Sequence, residues 1–223
     1  MAQKASPYAI RLGYNQDWNT CFFANNQQGQ INLLLKDWEI RSCLHSLFPD
    51  IGQLKTVYTK NAIFISLHMS EVEVISILED KPKLERVMKG IYKIVNDNKI
   101  KVNLDLIKVK NIYTHAQLIS NLVASQLKKR VRSNRVIRDL IKRLRAEREE
   151  VKGAKIEIAG RLDESDIAQT KKTVHAEMRL STIDSNVKVG FKELITPHGA
   201  IGIKVIIYKG KIWQKRNKNY ANT

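Results

Sequence analysis

The chain has 223 residues, of which 43% are hydrophobic, and it carries a formal net charge of +17. This length suits one large domain or two small ones, each able to bury a core. A membrane-spanning helix needs about 20 apolar residues, and no apolar run in the chain is that long. Two cysteines are too few for a disulfide framework. The charge predicts a polyanionic partner, because positive charge repels itself unless anions neutralise it. Nucleic acid is the commonest such partner, and an anionic membrane surface is the alternative.

The first third of the chain predicts an arm, a helix and two strands. Residues 1–30 are rich in Asn and Gln and indicate an extended basic arm with little core of its own. Apolar residues at helical spacing predict a helix over Asp37–Phe48, which Pro49 ends. Residues 54–59 and 62–69 are rich in β-branched and aromatic side chains and predict two short strands.

Further elements follow on both sides of a long helical segment. Lys81–Val95 predicts a helix with one apolar face, and residues 99–109 alternate apolar and polar side chains, which predicts a strand. Residues 154–160 predict another strand, and residues 163–172 a short helix. The remaining strands are expected within residues 173–191 and 201–208, ahead of a basic tail.

The helical segment itself predicts two helices or one kinked helix. Thr114 and Gln117 fit the Thr-x-x-Gln capping box that opens a helix. The helical pattern then continues to about Glu149. Ser133 and Asn134 form the weakest helix-forming pair within it, so we expect the two helices to meet near this pair.

Residues 128–148 concentrate positive charge, with ten Lys and Arg residues against two acids. Residues three or four apart share a helix face, so six cations form one basic stripe: Lys128, Arg132, Arg135, Arg138, Lys142 and Arg145. An adjacent apolar stripe is expected to pack on a core: Leu127, Val131, Ile137, Ile141 and Leu144. A long stripe almost free of acids matches a phosphate backbone better than it matches scattered surface ion pairs. A solvated face without a partner and a membrane-surface helix are the alternatives.

Three groups of residues resemble motifs of a known family. The first lies near the N-terminus: Gln3, Lys4, Pro7, Arg11, Leu12, Gly13 and Trp18. The second is the run Ser-Gln-Leu-Lys-Lys-Arg-Val at 125–131. The third is a Gly-Arg-Leu…Asp-Ile-Ala-x-Thr pattern at 160–170, with Gly-x-x-Gly-Ile-Lys-Val following at 199–205. Together they resemble the small-subunit ribosomal protein S three family, whose members have a type II KH domain followed by a C-terminal domain.

The resemblance implies an α+β fold, in which a type II KH domain precedes a basic helix pair and a small α+β C-terminal domain. It places a basic N-terminal arm at 1–36 and a degenerate type II KH domain at 37–112. The helix pair and C-terminal domain would occupy 113–212, and a basic tail 213–223.

The same resemblance implies a structural role in the head of the small ribosomal subunit. The expected partners are ribosomal RNA, neighbouring proteins of the head, and mRNA at the entry channel, but no membrane. The mRNA-facing patch maps onto Arg135 and Arg138, while Asn134 and Asp139 stand where the family has basic residues, so two charges that would serve mRNA unwinding are missing. The full set of expected RNA-binding residues is Lys4, Arg11, Lys128, Lys129, Arg130, Arg132, Arg135, Arg138, Lys142, Arg145 and Arg161.

In type II KH domains, a Gly-x-x-Gly loop joins two helices and lets the backbone approach phosphates. The matching region here has Ser76–Glu79 near the loop position and contains no glycine, and Glu79 with Asp80 would repel phosphate. We therefore expect the KH fold to be kept while its nucleotide cradle is degenerate. Residues 199–202 spell Gly-x-x-Gly but precede a strand, which predicts a turn.

Neither catalysis nor a metal or other cofactor is expected from the sequence. The five histidines show no metal-ligand spacing, and neither a phosphate-binding loop nor a serine-nucleophile motif occurs. A stand-alone RNA-binding regulator with a KH-like fold and a nucleic-acid-processing enzyme are the alternative functions. Residues 171–183 lack the aromatic side chains of the bacterial form, which favours an organellar ribosome, with the mitochondrial matrix preferred and a bacterial cytoplasm or plastid left open.

Overall fold

The computed structural model describes residues 5–95, 100–163 and 165–212, so the basic tail lies outside the described residues. The chain forms two compact units. Trp18–Lys110 make up the first unit, and Met1–Asp17 combine with Asn111–Thr223 in the second unit. Each unit contains helices and a four-stranded sheet, which confirms the predicted α+β class. None of the described helices is both long and apolar enough to cross a membrane.

The described residues of the first unit form three α-helices and four strands. In chain order they are β1 (Thr20–Cys21), α1 (Gln27–Leu47), β2 (Gln53–Tyr58), β3 (Ala62–Ser70), α2 (Glu71–Glu79), α3 (Lys81–Val95) and β4 (Lys101–Val109). The strands lie in the order β1-β2-β3-β4, with β2 antiparallel to β3 and β4 parallel to β3. The two helices between β3 and β4 are those that the KH resemblance implies. The predicted strands and α3 are confirmed.

Helix α1 begins at Gln27 rather than at the predicted Asp37, which lies near the middle of the helix. Its buried carboxylate accepts hydrogen bonds from the Thr56 hydroxyl at 2.7 Å, the Thr20 hydroxyl at 3.0 Å and the Arg41 Nε at 2.8 Å. These bonds tie α1 to β1 and β2. An acid whose carboxylate is hydrogen-bonded in this way can lie inside a helix, although the sequence pattern placed the helix start at Asp37.

The described residues of the second unit form two α-helices and four strands. In chain order they are α4 (Ala116–Lys128), α5 (Ser133–Ala146), β5 (Gly153–Gly160), β6 (Gln169–Ala176), β7 (Ser185–Thr196) and β8 (Gly199–Lys211). The strands lie in the order β6-β5-β8-β7, and all neighbours are antiparallel. Two helices meeting near Ser133 are confirmed. The short helix predicted over 163–172 is wrong, because residues from Gln169 onward pair with the edge of β5.

Helices α4 and α5 cover one face of this sheet. Alternate side chains of β5 and β8 are buried against the apolar faces of the two helices: Ile156, Ile158, Ile203, Val205 and Ile207. Close approach of α4 to β7 requires a glycine, because a Cβ on Gly190 would lie 2.3 Å from the Ala116 carbonyl oxygen. Gly190 therefore allows the first turn of α4 to lie directly against β7.

The predicted capping box at the start of α4 is wrong. The Gln117 amide instead donates to the Phe191 carbonyl at 2.9 Å and accepts from the Phe191 N–H at 3.1 Å, which satisfies β7 backbone groups. The Thr114 hydroxyl donates to the Asn111 carbonyl. The turn predicted at 199–202 is wrong: these four residues begin β8, and the turn that precedes it lies at Pro197 and His198.

Candidate nucleic-acid interface

Helix α4 ends in a C-terminal turn whose left-handed position is occupied by Arg130. Arg130 has φ +59°, its N–H donates to the Leu127 carbonyl at 2.9 Å, and the Val131 N–H donates to the Gln126 carbonyl at 3.2 Å. This pair of bonds is the Schellman motif, whose left-handed position is usually glycine. An arginine there costs about 1 kcal/mol in backbone conformation. The basic stripe is therefore divided between two helices and the link at 129–132.

The start of α5 is held by a side chain that the sequence analysis missed. The Asp163 carboxylate accepts the Ser133 N–H at 2.7 Å, the Ser133 hydroxyl at 2.6 Å and the Lys171 ammonium at 2.7 Å. Partial burial acts to raise the pKa of Asp163, but the hydrogen bonds from Lys171 and Ser133 outweigh it and lower that pKa to about 2. Asp163 lies inside the 160–170 motif, so the motif provides the N-terminal cap of α5 from another part of the chain.

Helix α5 separates its apolar and basic faces as predicted. Val136, Ile137, Leu140 and Leu144 are buried in the core of the second unit. The expected cations of the helix pair are all exposed: Lys128, Lys129, Arg130, Arg132, Arg135, Arg138, Lys142 and Arg145. Asp139 compensates one of them in part, since the Arg135 Nε lies 3.9 Å from its carboxylate. The face therefore keeps a large positive excess.

Two further contacts extend this positive region beyond the stripe. Arg143 donates a hydrogen bond to the Tyr113 hydroxyl and lies 5.8 Å from the centre of that ring. Burial lowers the pKa of His175, and the neighbouring cations Arg145 and Arg148 lower it further. Arg145 and Arg148 therefore place positive charge near His175 of β6.

A groove of about 380 Å³ opens in the second unit beside the α4–α5 link. The segment after β5 and the turn between β7 and β8 form its other walls. Arg161, a predicted RNA-binding residue, lines this groove, and its guanidinium donates to the His198 carbonyl at 3.3 Å. The structure thus brings Arg161 together with Lys128, Arg130 and Arg132, which lie about 30 positions earlier in the sequence.

Arg11 does not belong to this surface. Its exposed fraction is 0%, and the residues around it fold with the second unit rather than forming an extended arm. The guanidinium donates to four backbone carbonyls, those of Pro7, Leu180, Thr182 and Ser185. The expectation that Arg11 contacts RNA is therefore corrected, because no part of the side chain reaches solvent. Lys4, also expected to bind RNA, lies outside the described residues.

The junction of α2 and α3 has the opposite charge. Asp80 alone separates the two helices, and Glu79 is the exposed last residue of α2. Ser76, Ile77 and Leu78, expected near a loop, belong to α2. A junction this short and acidic has no glycine that would let a phosphate approach the backbone. Among the described residues, no group of three or more His, Cys, Asp or Glu side chains is arranged to hold a metal ion.

Comparisons with known proteins identify relatives over nearly the whole chain. The family model described as "Ribosomal protein S3, C-terminal domain" matches residues 123–207. The small ribosomal subunit protein uS3 of Exiguobacterium sp. is 30% identical, with 100% of this chain and 99% of the relative aligned. The protein of the same name from Clostridium novyi is 31% identical over 95% of this chain and 94% of its own length. That of Prochlorococcus marinus is 28% identical over 98% of this chain and 88% of the relative.

Proposed function

The chain belongs to the ribosomal protein S3 family, and on that premise we propose that it binds ribosomal RNA in the head of the small subunit and contacts mRNA at the entry channel. Membership makes it a structural component of the small ribosomal subunit with a role in translation, and points to a non-enzymatic role. The similarity extends over the full chain, which favours the ribosomal role over a stand-alone regulator or a nucleic-acid-processing enzyme.

The observation that carries this proposal is the exposed positive charge of the α4–α5 pair. Four of the cations, Arg135, Arg138, Lys142 and Arg145, lie on α5, whose other face is buried, so they are presented at fixed spacing. Phosphate contacts of this kind set affinity and position without reading the base sequence. The proposed RNA contacts are Lys128, Lys129, Arg130, Arg132, Arg135, Arg138, Lys142, Arg145 and Arg161.

Within this set, Arg135 and Arg138 are the proposed mRNA contacts at the entry channel. The Arg138 Nε donates to the Asn134 carbonyl at 3.2 Å, which holds the side chain close to its own helix, and Arg135 lies beside Asp139. Asp139 offsets part of the Arg135 charge, and the bond to Asn134 limits how far the Arg138 guanidinium can reach towards an RNA strand. We therefore propose that the pair grips mRNA electrostatically and contributes little to unwinding.

The remaining predictions concern partners, compartment and domain limits. Neighbouring proteins of the subunit head are the proposed protein partners. The relatives described above are bacterial, so they give no support to the mitochondrial location expected from residues 171–183, which stays a prediction. The domain limits at 36, 112 and 212 also stay a prediction.

Sedimentation tests the proposal directly. An epitope-tagged copy is followed through a sucrose gradient of cell or organelle lysate at low salt and again after a high-salt wash. We expect salt-resistant migration with small subunits, because a resident protein is held by many contacts. Migration at the top of the gradient in both conditions would contradict a ribosomal role and leave a free RNA-binding protein.

A further inference from the structure

The groove beside the α4–α5 link combines two kinds of surface. Four cations line it, Lys128, Arg130, Arg132 and Arg161. Its opposite wall at the β7–β8 turn includes the apolar residues Ile195 and Pro197, and Ile195 is 83% exposed. A volume of about 380 Å³ is within the range of small-ligand sites. The groove is therefore large enough for one nucleotide and offers both a charged and an apolar wall.

Little inside the groove neutralises these cations. Asp163 is the one acid among the described residues that line it. Its carboxylate is already occupied by the Ser133 N–H, the Ser133 hydroxyl and the Lys171 ammonium. Charge complementarity therefore calls for an anionic occupant rather than a neutral or cationic one.

Arg130 gives an independent reason to assign a ligand to the groove. It occupies the left-handed position of the Schellman motif, where glycine would relieve the backbone strain. Among the described residues, none is hydrogen-bonded or ion-paired to its guanidinium, so none of their side chains offsets the strain. Strained positions of this kind cluster at ligand clamps.

We propose that this groove binds one unpaired nucleotide of RNA, with its phosphate on Arg130 and Arg132 and its base against Ile195. A double helix would keep its bases stacked and paired and leave the apolar wall uncovered, whereas an unpaired nucleotide supplies both a phosphate and a free base. This inference rests on the proposed RNA-binding function and adds to it a preference for single strands at a site separate from the outer face of α5.

The first test compares single-stranded and duplex RNA on the full chain. The probe is an oligonucleotide that carries 2-aminopurine, a fluorescent adenine analogue, used alone and annealed to its complement. Arg130→Gly is expected to keep or raise the melting temperature, because glycine suits the left-handed backbone, and to weaken single-strand binding about tenfold. Duplex binding should weaken clearly less. Arg86→Ala, which removes one exposed cation from α3, is the control and should change both affinities little.

The second test removes the apolar wall without changing charge. Ile195→Ser should weaken single-strand binding about threefold, leave its salt dependence unchanged and alter the 2-aminopurine emission of the complex. Ile167→Ser is the matched control, because Ile167 is 76% exposed in the same unit and does not line the groove.

Two results would overturn the groove proposal: equal loss of single-strand and duplex binding in Arg130→Gly, or unchanged binding and emission in Ile195→Ser. Should the glycine variant lose stability, the serine variant decides alone. If Arg135→Ala with Arg138→Ala weakens RNA binding while both groove variants do not, the groove proposal fails and the proposed function survives. If the unmodified chain binds neither RNA, the proposed function fails as well.

Discussion

The two units each contain a junction between consecutive helices, and the two junctions have opposite charge. Between α2 and α3 the chain turns at Asp80, directly after Glu79. Between α4 and α5 the link at 129–132 contains three cations, follows Lys128 and contains an arginine in a left-handed backbone conformation. In the first unit the junction that a KH fold uses for phosphates would repel them. In the second unit the junction has the charge and the exposure that phosphates need.

This difference separates fold from function. The first unit keeps two helices between parallel strands, yet the side chains at that position have lost the chemistry of a nucleotide cradle. Positive charge has accumulated instead on a helix pair that the KH fold does not include. For this chain, the distribution of charge is a better guide to the proposed RNA-binding surface than the type of domain.

The largest expected effect comes from removing the outer stripe of α5. The triple variant Arg135→Ala, Arg138→Ala and Lys142→Ala should weaken RNA binding for every sequence tested. It should also reduce the slope of log affinity against log salt by about 2–3, because each lost phosphate contact removes roughly 0.7–0.9. Fluorescence anisotropy titrations at four or more salt concentrations measure both quantities.

A matched variant in the first unit sharpens this comparison. Arg86→Ala, Lys89→Ala and Lys93→Ala remove three exposed cations at similar helical spacing from α3. The slope should then change by less than about 1. Equal effects of the two triple variants would mean that net charge alone drives binding, and the assignment of the α4–α5 surface would have to be abandoned.

An intermediate effect is expected on stability when the cap of α5 loses its charge. Asp163→Asn tolerates the left-handed backbone at φ +56° but removes the ion pair with Lys171, so the free energy of unfolding should fall by about 1 kcal/mol near neutral pH. Chemical denaturation measures this difference. The exposed Asp166→Asn is the control and should cost little.

The same variant has a defined pH dependence. Because the pKa of Asp163 is lowered from 3.8 to about 2 in the folded chain, its contribution is fully present above pH 4 and is lost as the pH falls towards 2. The stability gap between the unmodified chain and Asp163→Asn should therefore close over that window. A gap that stays constant down to pH 2 would show that the carboxylate is not the stabilising group.

The smallest effect is expected at the acidic junction. Replacing Glu79 and Asp80 together with Gly should leave assembly into small subunits unchanged, because this junction has no proposed RNA contact to lose. Co-sedimentation with subunits is the measurement. A clear assembly defect would mean that the acidic junction binds a partner of its own, such as a basic neighbouring protein, and that the comparison of the two junctions has to be redrawn.

Local signals predicted most elements of the fold. The apolar face of α3 and the alternating residues of β3 and β4 report burial directly, and the weak pair at Ser133 and Asn134 located the break after α4. The errors occur where a contact with a residue distant in sequence determines the local structure. Residues from Gln169 form a strand because β5 offers its edge, and Gln117 serves β7 rather than its own helix.

The site was predicted in part. The cations of the helix pair were found because charge and helical spacing are visible in the sequence, and the structure exposes them as expected. Arg11 was misassigned, because the sequence cannot distinguish a buried arginine that donates to four carbonyls from an exposed arginine that binds a phosphate. The Asp163 cap and the apolar side chain of Ile195 were missed, since Asp163 stands at a position that the 160–170 pattern leaves unspecified.

By itself, the sequence determined the class of the molecule, its basic surface and its family, because composition, periodicity and motifs are properties of consecutive residues. The tertiary structure alone decided which cations are exposed, which one is buried, and that Arg161 joins Lys128, Arg130 and Arg132 around one groove. The physical reason is that these outcomes depend on long-range contacts such as the bonds from Ser133 to Asp163 and from Arg11 to Ser185, which no local pattern encodes.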